Sequence, residues 1–124
     1  MFEFPKKQKL CNESVIKEMF SNGQSLTTSA LRLVWKEGIK KDEQAVMSII
    51  VVPKKKIRLA VKRNVIRRRM KEAYRLNKIE LENMLKTKKL QLNVAIVYQK
   101  EKILPYKIVE QEIKLILGRL ILDL

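Results

Sequence analysis

The residues of this chain whose types and spacing can do chemistry are cations, and they are concentrated. Between Lys54 and Arg75, 11 of the 28 Lys and Arg residues fall within 22 positions, with Glu72 the only acid among them. At about 100° per residue, Asn64, Arg67, Arg68, Lys71 and Arg75 share an arc of about 100° on a helix, opposite Ile66, Met70 and Ala73. A solvated helix face normally mixes signs at i,i+4 spacing. Here Arg63/Arg67, Arg67/Lys71 and Lys71/Arg75 are all like-charge pairs, each costing a few tenths of a kcal/mol, so an anionic partner is expected. Arginine outnumbers lysine on this stretch, and its planar fork grips phosphate oxygens two at a time. Asn64 can donate and accept at once, which suits a base edge, a 2′-hydroxyl or a helix-entry backbone group equally.

Other chemistries lack their residues. The chain has no histidine, which removes the commonest general base and with it Ser-His-Asp and Cys-His nucleophilic catalysis. Its one cysteine, Cys11, reads as a small apolar residue and cannot form an internal disulfide. The acids are scattered, Glu80 and Glu82 on one expected helix surface and Glu110 and Glu112 on another, so no carboxylate cluster for a metal is expected. Catalytic residues and metal ligands are therefore both expected to be absent.

A formal charge of +15 on 124 residues self-repels until an anion neutralises it. Nucleic acid is favoured over an anionic membrane, because each phosphate contact releases roughly one condensed counterion. Residues Met1 to Leu10 (MFEFPKKQKL) lack an apolar signal region, and no stretch approaches the ~20 apolar residues of a membrane span. A soluble cytoplasmic protein forming a single domain, residues 1–124, is expected.

The elements that must hold the cations follow from periodicity. Asn12 opens a short helix with an apolar stripe at Val15, Ile16, Met19 and Phe20, closed by Gly23. Ala30 to Lys36 alternates as a strand, with Leu31, Leu33 and Trp35 opposite Arg32 and Val34, and a polar turn spans Gly38 to Glu43. The β-branched run Ala45 to Val52 is a second strand ended by Pro53. Ile57 to Ala60 reads either as a third strand or as a lead into the long basic helix, Val61 to Asn77. Helical pattern resumes at Ile79, Leu81 and Leu85. A strand follows at Leu92 to Tyr98, then a last helix with Pro105 as its first residue and Val109, Ile113, Ile116, Leu117 and Leu120 as its buried stripe. Ile108, Leu115 and Leu122 lie seven apart, away from that stripe. The expected class is α+β in the order α-β-β-β-α-β-α.

On these residues the chain resembles the bacterial ribonuclease P protein family. Val52-Pro53-Lys54-Lys55, Ala60-Val61-Lys62-Arg63-Asn64, Ile66-Arg67-Arg68 and Lys71-Glu72-Ala73-Tyr74-Arg75 stand in the register of that family's signature. The resemblance implies a two-layer α/β sandwich, ribosomal protein S5 domain 2-like, with the basic helix in the crossover. It implies that Arg63, Asn64, Arg67, Arg68, Lys71 and Arg75 contact the catalytic RNA of ribonuclease P, together with a basic loop at Lys54 and Lys55. It also implies a cleft between the first helix and the sheet for the single-stranded 5′ leader of precursor tRNA, with Phe20 and Arg32 as leader-binding residues. It implies further that the RNA does the cutting, with Mg²⁺ bound mainly by the RNA subunit, and that neither DNA nor membrane is to be expected as a partner.

The chain departs from the family pattern at three places. Val65 stands where an arginine commonly follows Arg-Asn, so that contact is either lost or moved to Arg69. Lys56-Ile57-Arg58-Leu59 lacks the usual glycine, and Ile16 replaces a common aromatic. A basic structural RNA-binding protein of ribosomal type is the alternative: it would share the charge and the class but not the ordered signature.

Overall fold

The computed structural model describes residues 13–38 and 46–124. Cys11, Asn12, Ala45 and most of the Gly38 to Glu43 turn lie outside the described residues. The described elements are α1 (Glu13–Asn22), β1 (Gln24–Thr27), β2 (Leu31–Glu37), β3 (Val46–Val51), α2 (Ala60–Asn77), α3 (Ile79–Lys88), β4 (Leu92–Tyr98) and α4 (Tyr106–Asp123). The sheet runs β1-β2-β4-β3, antiparallel at β1/β2 and β2/β4 and parallel at β3/β4. Parallel neighbours need a crossover, and α2 with α3 supplies it, so the basic helix sits where the expected topology put it.

The class is α+β, with two corrections to the expected order. The third strand of the leading set is β1, not Ile57 to Ala60. Lys56 and Ile57 both donate to the Pro53 carbonyl in a tight turn, and Ile57 then drops into the core at 4% exposure. β1 (QSLT) is too short and polar to announce itself; it forms because β2 offers it a ladder, with Gln24 opposite Trp35 and Thr27 opposite Arg32. The second correction is that the helical pattern at Ile79, Leu81 and Leu85 is a helix of its own, α3, which the expected order did not count. Lys78 ends α2 and begins α3 with backbone angles still in the right-handed helical region, so no glycine or proline marks the joint. Pro105 is the residue before α4 rather than its first turn.

One face of the sheet, through Leu33, Trp35, Val94 and Ile96, packs with Ile66, Met70 and Tyr74 of α2, Leu81 and Leu85 of α3, and Ile113 and Leu117 of α4. The opposite face, through Val34 and Ala95, packs on Met19 of α1, with Val15, Ile16, Met47 and Ile49 at its margin. β4 is therefore buried on both faces, and its near-continuous apolar run reflects that. Tyr74 is wholly buried, and its phenol faces the Ser48 hydroxyl; burial pushes its pKa well above the usual tyrosine range, so it stays protonated.

Two contacts fix the sheet edge. The Glu112 carboxylate on α4 accepts from the Thr28 hydroxyl (2.8 Å), the Ser29 hydroxyl (3.1 Å) and the Ala30 N–H (2.7 Å), clamping the β1–β2 turn. Gly23 joins α1 to β1, and a Cβ there would lie 2.3 Å from the Met19 carbonyl oxygen and 2.8 Å from that of Trp35. Both neighbours are backbone and cannot swing aside. Gly23→Ala is expected to lose about 1–3 kcal/mol of stability, as overpacking does, in a urea unfolding titration. An unchanged midpoint would show that α1 is free to shift on the sheet.

Candidate nucleic-acid interface

α2 has no acid in its first turn, and its buried residues are Ile66, Met70, Ala73 and Tyr74. Burying that stripe turns the opposite arc outward. Arg68 and Asn64 are exposed, while Arg63, Arg67, Lys71 and Arg75 are half-buried.

The like-charge repulsion along this face is partly relieved inside the protein. Arg63 donates to the Ile57 carbonyl (3.0 Å) and the Arg58 carbonyl (2.7 Å), which ties the preceding loop to the helix. Arg67 donates to Asn64 Oδ1 (3.1 Å), and Arg75 pairs with Glu72 (2.8 Å). Arg68 and Lys71 make no side-chain hydrogen bond or ion pair to another described residue. The face thus divides into anchored guanidiniums, with part of their hydrogen-bonding fork already used, and two cations, exposed Arg68 and half-buried Lys71, that no described side chain engages. Arg68 also borders a shallow hollow shared with Val65, Arg69, Glu72 and Tyr106. Arg69, one turn on from Val65, donates to the Leu104 carbonyl (2.6 Å). Lys54 and Lys55 are exposed on the turn after β3, at the entrance to α2.

The second expected site lies on the α1 side of the sheet. Strand register places Thr27, Arg32, Val97 and Val51 in one row across β1, β2, β4 and β3. The adjacent row, Ser25, Val34, Ala95 and Ile49, contributes Val34, Ala95 and Ile49 to the packing around α1. Arg32 is half-buried beside that covered row, whereas Trp35 faces the main core at 9% exposure. Of the two, Arg32 is the one on the α1 side. Phe20 is 37% exposed and belongs to neither core; Met19 and Ile16 make the inward contacts of α1 instead. Phe20 and Arg32 therefore share one side of the sheet, away from the cations of α2. Thr27, Val97 and Val51 were not legible as companions of Arg32, since register depends on pairing that no local pattern reveals.

Among the described residues no group of three Cys, Asp or Glu side chains is placed to hold a metal, and no helix is long and apolar enough to cross a membrane. The division of the cationic face has a measurable consequence. Arg63→Ala removes two charge-assisted bonds to backbone and should cost about 1–2 kcal/mol in urea unfolding, while Arg68→Ala should stay within about 0.5 kcal/mol of the parent. Equal effects from the two would show that Arg63 does not anchor the loop.

Comparison with known proteins is consistent with this arrangement. The Ribonuclease P family profile matches residues 4–121. A ribonuclease P protein component from Porphyromonas gingivalis is 29% identical over 110 residues, covering 89% of this chain and 80% of that protein. Among solved structures, the Staphylococcus aureus RNase P protein superposes with a TM-score of 0.73 at 16% identity, over 91% of this chain and 94% of that one. The Thermotoga maritima RNase P protein gives 0.66 at 17%, over 94% and 96%. At such identities the two structures attest the fold. With an α+β sandwich that carries a one-sided basic helix in its crossover, and a family match across nearly its whole length, the chain belongs to the Ribonuclease P protein family.

Proposed function

We propose that this chain is the protein subunit of a ribonuclease P holoenzyme: it binds the catalytic RNA through the outer face of α2 and the 5′ leader of precursor tRNA on the α1 side of the sheet. The observation that carries this reading is the one-sidedness of α2, whose core stripe fixes Asn64, Arg67, Arg68, Lys71 and Arg75 on the opposite arc. The reaction served is endonucleolytic removal of the leader to give the mature tRNA 5′ end. The scissile chemistry and its Mg²⁺ belong to the RNA subunit. The protein's contribution is positioning, which raises the effective concentration of the cleavage site at the metal-bearing RNA.

In this reading Arg68 and Lys71, whose charges no described side chain engages, make the main phosphate contacts, and Arg67 and Arg75 add fixed charge beside them. Lys54 and Lys55 extend the cationic surface from the helix entrance. Phe20 stacks a leader base, a contact worth roughly 1–3 kcal/mol that tolerates any sequence, and Arg32 takes a neighbouring phosphate. A basic ribosomal-type protein would share the cationic helix but has no need to discriminate a leader.

Two measurements test the proposal. Arg67→Ala and Arg68→Ala should each lower the slope of log K against log salt for the catalytic RNA by about 1. An unchanged slope in both would remove α2 from the interface. For the leader, the reconstituted holoenzyme should bind precursor tRNA more tightly than mature tRNA. Phe20→Leu, which keeps most of the apolar volume but loses the π-face, should erode that preference by up to roughly 1–3 kcal/mol. A parent preference near unity would abolish the leader role, and an undiminished one in the variant would exclude Phe20 from it.

A further inference from the structure

A groove lies at one end of the helix layer; it shares Lys55 with the basic entrance to α2 and is otherwise lined by residues of neither site described above. One wall is the segment entering α2, with Lys55, Lys56, Arg58, Leu59 and Lys62; the other is the β4–α4 loop, with Glu101, Lys102 and Ile103. Ile57, at 4% exposure, forms its floor. Five cations thus face one carboxylate, and none of the five makes an ion pair with another described residue. Elsewhere in the described structure Lys36, Arg75, Lys78 and Lys114 each have a carboxylate partner.

Both walls are held in place from α2. Arg63 donates to the carbonyls of Ile57 and Arg58 on one side, and Arg69 donates to the carbonyl of Leu104 on the other. The loop is pinned a second time by the buried Tyr98, whose hydroxyl donates to the Lys102 carbonyl (2.6 Å) and accepts the Leu104 N–H (3.2 Å). Arg63 and Arg69, both half-buried, are the two signature-region arginines that donate to the groove's backbone. A preformed site avoids the ordering cost that a loose lysine cluster would incur on binding an anion.

The groove also points elsewhere than the α2 face. At about 100° per residue, Lys62 lies about 120–180° round the helix from Arg67, Arg68, Lys71 and Arg75, so one straight duplex cannot reach both. Its lining is not purely cationic: Leu59 is 60% exposed, and Ile103 stands across from it. A duplex offers phosphates and sugar edges, whereas an unpaired strand also offers base faces that suit an apolar rim. We propose that this groove is a second RNA-contact site, in which Lys56, Lys62 and Lys102 hold the phosphodiester backbone of an unpaired RNA segment while another RNA occupies the α2 face. The inference rests on the chain's being an RNA-binding subunit, and not on which RNA lies against α2.

The test uses the full-length protein in a Phe20→Leu/Arg32→Gln background, which disables the single-strand site proposed on the α1 side, and a fluorescently labelled ten-nucleotide oligouridylate, with anisotropy read across a salt series; every variant below is made in that parent. The triple variant Lys56→Gln/Lys62→Gln/Lys102→Gln should bind the oligonucleotide at least about tenfold more weakly, with a log–log salt slope lower by about 2, at roughly 0.7 per phosphate contact. Arg68→Gln/Lys71→Gln should leave oligonucleotide affinity within about twofold and weaken binding of the folded catalytic RNA. Photocrosslinking of a 4-thiouridine oligomer should label peptides spanning 55–62 and 101–103. Parent-like oligonucleotide binding by the triple variant, or crosslinks confined to 64–75, would overturn the proposal. So would displacement of the probe by decaglutamate as efficient as by unlabelled oligouridylate, which would point to an acidic protein instead. Folded-RNA binding that ignores Arg68→Gln/Lys71→Gln would defeat the reading of the α2 face alone, because the groove is scored by the oligonucleotide.

Discussion

Everything in this molecule depends on the burial of one narrow stripe of α2. Ile66, Met70, Ala73 and Tyr74 are all at or below 1% exposure, packed against the sheet and α4. Burying a large apolar side chain is worth roughly 1.5–3 kcal/mol, and each like-charge i,i+4 pair costs only a few tenths. The stripe therefore wins over the repulsion it forces, and the helix stays folded with its cations aligned. Once its azimuth is fixed, every arginine on α2 has a fixed direction: Arg68 outward, Arg63 and Arg69 to the loops on either side. Position around the helix, more than residue type, decides which guanidinium acts as an anchor and which is available to an anion.

The same constraint explains why the signature region is so dense in arginine. A lysine at 63 would offer one flexible point charge where two carbonyls, those of Ile57 and Arg58, need simultaneous donors. Arg75 pairs with Glu72 one turn earlier, which holds the guanidinium against the helix while leaving positive charge at the surface. A motif that reads as uniform in sequence is thus mixed in function. The expectation that an external anion must offset the whole of the repulsion is too strong, because hydrogen bonds to backbone, to Asn64 and to Glu72 already offset part of it.

How much was legible from the sequence follows from which interactions are local. The buried residues of α2 and α4 are the residues their 3.6-residue period picks out, and β2, β3 and β4 lie within a residue or two of their alternating or β-branched runs. β1 was hidden because QSLT carries a single apolar residue and exists through pairing with β2. The α2–α3 joint was legible as a break after Asn77 with helical pattern resuming at Ile79, although the expected order did not count the second piece as a helix of its own. Ile57 to Ala60 could be read as strand or as a lead into the helix because so short an apolar stretch after a lysine run has no period to decide, and the structure makes it the lead into α2. Of the candidate site, the α2 face was readable in full as a direction, but the split between anchored and unengaged cations was not. Arg63 and Arg69 find their partners on loops whose approach depends on the tertiary fold.

The charge of the chain is also polarised by element, and that bears on how it can sit on RNA. α2 and the turn before it are overwhelmingly basic, whereas α4, packed beside α2, balances Lys107, Lys114 and Arg119 against Glu110, Glu112 and Asp123. Two of those charges serve the fold: Glu112 clamps the β1–β2 turn, and Arg119 donates to the Thr27 carbonyl. A field concentrated along one helix and its entry loop orients an approaching polyanion before contact, which an even +15 would not do. The neutral flank of α4 then lies beside the interface rather than competing for it. Because the clamp from α4 fixes the turn at Thr28 to Ala30, it also fixes the start of β2 and so the position of Arg32. The helix with no net charge thus supports the fold on which the cationic residues depend.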